Sequence, residues 1–467
     1  MEQLCLDNIK KAHFIGIGGI SMSGLAEILN FKGIEITGSD VKESELIEHL
    51  REKGIKITIG QKGENIPVGC QLVIYTAAVK EDNPELMAAR QMGIPVIDRA
   101  ELLGCIMGLY KNSVGVAGTH GKTTTTSMVS EAMIHAGVDP TLNIGGIFTT
   151  IGANFRIGES DYFVAESCEY FDSFAKFYPK VGIILNIEYD HTDYFKTMDQ
   201  LENSFRRFAE NISDDGLLII HSEIDNLGKI TNGLKCAVVT YGKNGDYHAE
   251  NIEYAADGKP AFDIYYKGEF RSRAVLNISG LHNIENAMAT FACCDFFGID
   301  SKLTGQALEN FVGAKRRFEI KGRFNGVSVI DDYAHHPTEV AATLAAAKKH
   351  KHNKIYCAFQ PHTYSRTIAF LDRFAGSFAD ADVVVLLDIY SAREKFDASI
   401  HSKDLAQRIK DLGKEVYYFE SFEEAKVFLV SECSEGDMLI TMGAGDINKL
   451  GEDILFTELS TLSTDEK

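Results

Sequence analysis

Three features are missing from this sequence of 467 residues, and each absence narrows the possible functions. No window of about 20 apolar residues exists, so we expect no transmembrane helix and no insertion into a membrane. The first residues lack the basic and then apolar pattern of a signal peptide. The nine cysteines include no C-x-x-C pair. We therefore expect reduced thiols and a cytoplasmic protein.

Positive charge is also scarce. There are 47 Lys and Arg against 67 Asp and Glu, and the net charge of -20 argues against general binding to nucleic acid or to anionic membranes. Phosphate ligands stay possible, because they need only local positive charge. The length predicts about two to four domains, and the hydrophobic content of 45% is enough for several cores.

Strand-like and helix-like segments alternate along the whole chain, which predicts an α/β fold with mostly parallel sheets. Strands are predicted, for example, at 56–59, 72–75, 237–241 and 355–359, and helices at 22–31 and 282–297. We divide the chain into three domains, at 1–105, 106–313 and 314–467.

A phosphate-binding loop is the most informative motif of the chain. The predicted strand 113–117 is followed by Gly118-Thr119-His120-Gly121-Lys122-Thr123-Thr124 and a segment that favours a helix. Backbone N–H groups at a helix N-terminus, a lysine and a hydroxyl that can hold Mg²⁺ are the elements of such a loop. The match is partial, since Val116 stands where the strict motif has glycine. The loop predicts ATP as a substrate.

A second glycine turn follows the first predicted strand. Gly16, Gly18 and Gly19 lie in this turn, and Asp40 ends the next predicted strand. This pattern favours a diphosphate at a helix N-terminus and an acidic contact to a nucleoside. Ser21 occupies the third glycine position of the dinucleotide motif, and the turn alone does not distinguish NAD from a nucleotide sugar.

Polar residues gather where other predicted strands end. Glu166 closes one strand, His191 follows another, and the polar stretches 331–339 and 360–367 follow two more. Ligands of open α/β sheets collect at the carboxyl ends of strands. A carboxylate and an imidazole near ATP phosphates suit one or two divalent metal ions, and Arg366 is suited to a bidentate grip on a carboxylate.

Four motifs, taken in order, resemble the Mur ligase family: Gly118–Thr125, Ser279–Ala287, Arg316–Glu319 and Asp331–Pro337. The opening segment, His13–Glu27, narrows the resemblance to the family member that uses L-alanine. The resemblance covers nearly the whole chain. It implies a Rossmann-like UDP-binding domain without NAD, a central P-loop ATPase-type domain with a mostly parallel sheet, and a C-terminal Rossmann-like α/β domain.

The resemblance also implies a reaction. The lactyl carboxylate of UDP-N-acetylmuramate attacks the γ-phosphate of ATP, and the acyl phosphate then reacts with L-alanine to give an amide, ADP and phosphate. A carboxylate is a poor electrophile, so phosphorylation supplies a leaving group. Catalysis should rest mainly on positioning and on neutralisation of charge. The oligomeric state stays open.

The family match implies a role for each site residue. Lys122 would neutralise the ATP phosphates, and Thr123, Glu166 and His191 would hold two Mg²⁺ ions. His282, Asn283, Asn286 and Arg317 would contact the nucleotide, and Gly18, Gly19 and Asp40 would belong to the UDP site. Asp331 and His335 would face ATP and the amino acid, and Arg366 would bind the carboxylate of alanine.

Two positions depart from the family pattern. Arg206 stands about fifteen residues after His191, where several relatives carry a carbamoylated lysine, so we expect no carbamoyl-lysine. Thr363 stands where many relatives have a basic residue, which leaves Arg366 as the expected carboxylate ligand.

Several alternatives remain at this point. Murein peptide ligase, which joins the same sugar nucleotide to a tripeptide, shares much of the pattern; the opening segment favours the alanine reaction. Folylpolyglutamate synthase lacks a UDP-binding domain of this kind. An NAD-dependent oxidoreductase would leave the ATP loop unexplained, and a P-loop switch or motor would need a partner surface that we do not see.

Overall fold

A five-stranded parallel sheet occupies the N-terminal part of the computed structural model, which describes residues 6–76 and 78–462. The strand order is β3-β2-β1-β4-β5, so the order reverses at β1, next to β4. In chain order the elements are β1 Lys11–Ile15, α1 Ile20–Phe31, β2 Glu35–Asp40, α2 Glu45–Glu52, β3 Lys56–Ile59, β4 Leu72–Tyr75, α3 Pro84–Gln91, β5 Val96–Asp98 and α4 Arg99–Met107.

Local sequence signals set the ends of these helices. Asn83 accepts hydrogen bonds from the N–H groups of Glu85 and Leu86 and so caps α3, while Pro84 takes the first helical position, where no N–H is needed. Asp98 and Glu101 form a reciprocal capping box at the start of α4. The domain boundary predicted at residue 105 falls inside α4.

A ten-stranded sheet follows, in the order β15-β14-β13-β12-β11-β10-β6-β9-β7-β8. Its centre is parallel, and antiparallel pairs lie towards both edges. Its elements are β6 Asn112–Ala117, α5 Lys122–His135, β7 Thr141–Phe148, β8 Ala153–Arg156, β9 Tyr162–Glu166, β10 Val181–Ile184, α6 Met198–Glu210, β11 Leu217–His221, α7 Leu227–Thr231, β12 Ala237–Tyr241, β13 Tyr247–Tyr254, β14 Pro260–Tyr266, β15 Glu269–Val275, α8 Leu281–Phe296 and α9 Ser301–Asn310.

A six-stranded sheet completes the described chain, in the order β16-β17-β21-β18-β19-β20, parallel except for the β16–β17 pair. Its elements are β16 Glu319–Phe324, β17 Val327–Asp332, α10 Pro337–Ala347, β18 Ile355–Phe359, α11 Tyr364–Ala369, α12 Leu371–Ser377, β19 Val383–Leu386, α13 Ser402–Asp411, β20 Glu415–Tyr418, α14 Phe422–Glu432, β21 Met438–Met442 and α15 Asn448–Leu462.

Buried apolar side chains cover both faces of the sheets. One apolar cluster of the second sheet contains buried residues of β6, β10, α5 and α8. The third sheet has two such clusters, one on each face. Strands buried on both faces read as apolar runs, as β10 and β19 do. Among the described residues, no helix is long and apolar enough to cross a membrane.

Candidate active site

The phosphate loop lies at the centre of the second sheet. Residues 118–121 connect β6 to α5, and β6 pairs with β10 on one side and β9 on the other. Parallel strands present their carboxyl ends at the same edge. The loop, Glu166 at the end of β9 and the segment after β10 therefore share one rim, as the sequence predicted.

Two glycines of the loop adopt backbone conformations that strongly favour glycine. Gly118 has φ 141° and Gly121 has φ 82°. A Cβ atom on Gly118 would come within 2.9 Å of Leu185 Cβ. The loop can therefore pass close to the β10 segment and turn directly into α5, whose first residue is Lys122. A helix N-terminus next to a lysine is suited to an anion.

Lys122 is surrounded by acceptors. Its Nζ donates to the carbonyl oxygens of Gly118 at 2.5 Å and Thr119 at 3.0 Å, and it lies 3.0 Å from Glu169 Oε2. Burial opposes the charged form, but the Glu169 carboxylate outweighs it, and the pKa of Lys122 is raised. Glu169 was not among the residues predicted from the sequence, and its carboxylate is 99% buried.

Thr123 joins the loop to both neighbouring parts of the rim. Its hydroxyl donates to Glu166 Oε2 at 2.8 Å, and the guanidinium of Arg317 donates to the same hydroxyl oxygen at 3.3 Å. The backbone N–H of Gly145 also donates to Glu166, at 2.9 Å. Glu166, Thr123 and Arg317 are thus brought together, with Arg317 entering from just before the third sheet.

His191 lies on the other side of the lysine. Its Nε2 is 3.4 Å from Glu169 Oε1, and its ring stacks on Tyr170 with centroids 4.4 Å apart. His191 has φ 50°, and Phe171 and Asp172 have φ 54° and 55°. Non-glycine residues in the left-handed region are strained, and they concentrate at functional sites. The carboxylate beside His191 is that of Glu169, whereas the carboxylate of Glu166 contacts Thr123.

A cavity of about 620 Å³ lies between the second and third sheets, beside the loop. Seven of the predicted nucleotide contacts line it: His120, Gly121, Thr124, His282, Asn283, Asn286 and Arg317. So do residues that the sequence analysis did not single out, including Glu188, Asp332, Thr338 and Glu339. The volume falls in the range of small-molecule sites.

Asp331, which the sequence predicted to face ATP, does not line this cavity. Its carboxylate is buried, accepting from Arg316 Nε at 2.9 Å and from the Thr441 hydroxyl at 2.8 Å. Neighbouring strand residues face opposite sides of a sheet, and it is Asp332 that lines the cavity. Burial raises the pKa of Asp332 to about 6 despite the nearby charge of Arg317.

His335 follows β17, and Arg366 lies in α11, the short helix that follows β18. Burial lowers the pKa of His335 to about 3, and the ring of His335 is 5.7 Å from that of His362. Arg366 is largely buried, and its guanidinium makes two bonds to Asp190, at 3.0 and 3.2 Å. Arg366, which was predicted to bind the carboxylate of the substrate, is thus already bound to a carboxylate of the protein.

The first sheet has a crevice of its own, of about 670 Å³. It opens where the strand order reverses, and Gly18, Gly19 and Asp40 line it. Gly18 N donates to Asp40 Oδ2 at 2.9 Å, which holds the glycine turn against the end of β2. The three residues predicted for the UDP site therefore line one crevice.

Arg206 belongs to a separate part of the surface. Its guanidinium bonds to Glu210 at 2.8 Å and to the carbonyl oxygens of Ile230 and Asn232. Where several relatives carry a carbamoylated lysine, this chain therefore has Arg206, whose charge is bound by groups at the ends of α6 and α7. Glu169, not Arg206, supplies the charge that contacts His191.

Comparison with known proteins agrees with this architecture. Three domain descriptions match in order: "Mur ligase family, catalytic domain" at residues 11–111, "Mur ligase middle domain" at 116–294 and "Mur ligase, glutamate ligase domain" at 316–445. Three sheets, a phosphate loop in the second and these three domains in this order are the features of one class of ligases. The chain belongs to the Mur ligase family.

Individual relatives cover almost the full length. The chain is 50% identical to the UDP-N-acetylmuramate–L-alanine ligase of Agathobacter rectalis, over 95% of this chain and 97% of that protein. It is 48% identical to the protein of the same name from Caldanaerobacter subterraneus, over 97% and 99%. The crystal structure of UDP-N-acetylmuramate-alanine ligase from Thermotoga maritima has a TM-score of 0.78 and 31% identity, over 97% of this chain and 99% of that chain.

Proposed function

We propose that this chain joins L-alanine to the lactyl carboxylate of UDP-N-acetylmuramate, with ATP as the source of energy. One observation carries the proposal from the structure: Thr123 of the phosphate loop is contacted at once by Glu166 of the second sheet and by Arg317, which leads into the third. This junction is suited to phosphoryl transfer between two bound substrates. Full-length similarity to ligases named for this reaction supports the same substrates.

The phosphate loop would bind ATP, with its base in the cavity between the second and third sheets. Gly118, Gly121 and the start of α5 provide the cradle, and Lys122 neutralises the phosphates. As the lactyl carboxylate attacks the γ-phosphate, charge spreads over the phosphoryl oxygens. Lys122 and Arg317 stabilise that charge by position, which is the main contribution expected in phosphoryl transfer.

Residues of the rim fit Mg²⁺. A threonine hydroxyl and a carboxylate, Thr123 and Glu166, are oxygen ligands of the kind this ion prefers. We propose that they hold one ion and that His191 borders a second. When bound, Mg²⁺ would neutralise the phosphates and polarise the γ-phosphoryl group.

The remaining groups would hold the other two substrates. The crevice at Gly18, Gly19 and Asp40 would take the UDP group, and the ends of β17 and β18, with His335 and Arg366, would take L-alanine. His335 is neutral near pH 7, because burial lowers its pKa to about 3, so it can accept a hydrogen bond from the amine of alanine. The acyl phosphate then reacts with that amine, and phosphate leaves.

We also propose the domain division at 1–105, 106–313 and 314–467, with one substrate assigned to each part, and a cytoplasmic location. Release of phosphate from ATP and Mg²⁺ tests the function directly. The proposal expects release to need UDP-N-acetylmuramate and to be strongest with L-alanine among single amino acids. Release only with a tripeptide would assign the chain to the murein peptide ligase reaction, and no release under any combination would refute the ligase proposal.

A further inference from the structure

Three side chains from separate segments converge beside the phosphate loop. His120 belongs to the loop, Glu188 follows β10 and His336 precedes α10, and their ligand atoms all lie within 4.8 Å of one another. Glu188 Oε2 is 3.5 Å from His120 Nε2 and 3.5 Å from His336 Nδ1. Around a tetrahedral metal ion with bonds of about 2.1 Å, ligand atoms lie roughly 3.4 Å apart. The two separations from Glu188 therefore match a metal site, and the nitrogen atoms of the two imidazoles lie within 4.8 Å of one another.

The surroundings of His120 support this interpretation independently. Its Nδ1 is 3.0 Å from Glu339 Oε1, whereas its Nε2 is buried and has no hydrogen-bond partner among the described residues. Metal-binding histidines usually give their other ring N–H to a carboxylate, which fixes the tautomer and leaves the ligating nitrogen free. Glu339 is itself held by the backbone N–H groups of His335 and His336, at 2.9 and 3.2 Å.

The other two groups are also held in place. The Thr338 hydroxyl donates to Glu188 Oε2 at 2.7 Å, and Arg373 lies 3.5 Å from the same atom. The ring of His336 packs between His120 and Phe370, with centroids 4.6 and 5.0 Å away. Its Nδ1 accepts only a long bond, of 3.4 Å, from the N–H of Thr338. A metal ion would replace a weak contact and leave the stronger ones intact.

We propose that His120, Glu188 and His336 form a binding site for a transition-metal cation of the Zn²⁺ class, separate from the Mg²⁺ ligands Thr123 and Glu166. Two imidazoles and a carboxylate suit Zn²⁺ or Co²⁺, whereas Mg²⁺ prefers an all-oxygen shell. The bound ion would tie the phosphate loop to the start of α10. His120 and Glu188 also line the nucleotide cavity, so occupancy of this site would hinder entry of ATP.

Titration of the full-length, nucleotide-free chain with Co²⁺ alone tests the site, because four-coordinate Co²⁺ has intense visible absorption. We expect one equivalent of Co²⁺ to give this spectrum and Zn²⁺ to abolish it. The variant His336→Asn removes the imidazole, and the Asn side chain can still cap α10. The variant Glu188→Gln keeps an acceptor for Thr338. Each should weaken Co²⁺ binding by about 10-fold or more.

A matched control is His350→Asn, because His350 lines the same cavity away from the cluster. It should keep the wild-type affinity for Co²⁺. A spectrum of six-coordinate Co²⁺ only, or equal affinity in wild type, His336→Asn and Glu188→Gln, would overturn the proposal. No substrate is present in this titration, so its failure leaves the ligase proposal standing, and failure of the ligase assay would leave this result unaffected.

Discussion

Asp190 and Arg366 form a buried bidentate ion pair between the second and third parts of the chain. Arg366 Nε lies 3.0 Å from Asp190 Oδ1 and Nη2 lies 3.2 Å from Oδ2, and both side chains are more than 90% buried. The guanidinium holds the pKa of the Asp190 carboxyl well below its usual range, although burial alone would raise it. The two residues are 176 positions apart in sequence.

Breaking this pair should destabilise the protein strongly. Asp190→Asn leaves the Arg366 charge buried without its partner, which costs about 3–5 kcal/mol. Arg366→Met should have a comparable effect, and the double variant should lose less than the sum of the two. Denaturant unfolding of the four proteins measures the coupling. Glu43→Gln is the control: its ion pair with Arg51 is exposed, and its loss should cost at most about 1 kcal/mol. Additive losses would contradict the assignment.

Removal of the Glu169 carboxylate should strengthen nucleotide binding. This carboxylate is paired with Lys122 when no nucleotide is bound. An incoming phosphate must therefore compete with Glu169 for this lysine. We therefore expect Glu169→Gln to bind ADP about tenfold more tightly in EDTA, since a charged hydrogen bond contributes about 1.5–3 kcal/mol, while ligase activity falls because His191 loses its carboxylate.

Calorimetric titration with ADP measures this affinity. Glu131→Gln is a suitable control, because Glu131 lies on the same helix α5 and bonds to Thr150 at 2.6 Å, away from Lys122. It should leave ADP affinity unchanged. Weaker ADP binding by Glu169→Gln would show that Glu169 supports the nucleotide site and does not compete with it.

Gly16 and Gly69 allow a matched test of the first crevice. Both have φ 78°, so alanine costs similar backbone strain of about 1 kcal/mol at each. A Cβ on Gly16 would also come within 2.9 Å of Thr76 Cγ2, whereas Gly69 has open space. Gly16→Ala should weaken UDP binding at least tenfold, and Gly69→Ala should not. Titration with UDP decides the matter, and equal affinities would place the uridine nucleotide elsewhere.

His120 should make stability depend on pH in the alkaline range. Burial alone would lower its pKa, but Glu339 and Glu188 outweigh this effect and raise the pKa to about 9, and the neighbouring imidazole of His336 stays neutral near pH 7, with a pKa of about 4. A pKa raised on folding stabilises the protein fully below about pH 6.5, and this contribution is lost as the pH rises through about 9. The loss is on the order of 3 kcal/mol.

Unfolding by urea in EDTA at pH 6 to 9.5 measures this loss. His120→Gln should flatten the decline of stability with pH, because it removes the titrating group. His49→Gln replaces an exposed imidazole far from the phosphate loop in sequence, and it should follow the wild-type curve. An unchanged slope in His120→Gln would assign the titration to another group.

The architecture and most of the residues at the rim of the second sheet could be predicted from the sequence. Strands β3, β4, β12 and β18 match their predicted bounds, because short apolar runs between turn residues are strong local signals. The phosphate loop carries its own signal in glycine, lysine and threonine. These features depend on neighbours in the chain, which a sequence displays directly.

The misses depend on contacts that a sequence does not display. Glu169 lies in an irregular segment with two left-handed residues, so no periodicity indicated which way its carboxylate points. Asp331 and Asp332 are adjacent, and the sequence alone did not tell which of them faces the cavity. The partner of Arg366 comes from another domain, and only the fold brings Asp190 to it.

Lys122 and Arg366, the two cations expected to receive the anionic groups of the substrates, are each neutralised in advance by a carboxylate of the protein. Glu169 and Asp190 act as built-in counterions. An arriving phosphate or carboxylate would therefore exchange with an anion that is already there, and would not fill a bare positive site. Free inorganic anions make few other contacts that could offset the loss of these ion pairs, so they would compete poorly with the substrates.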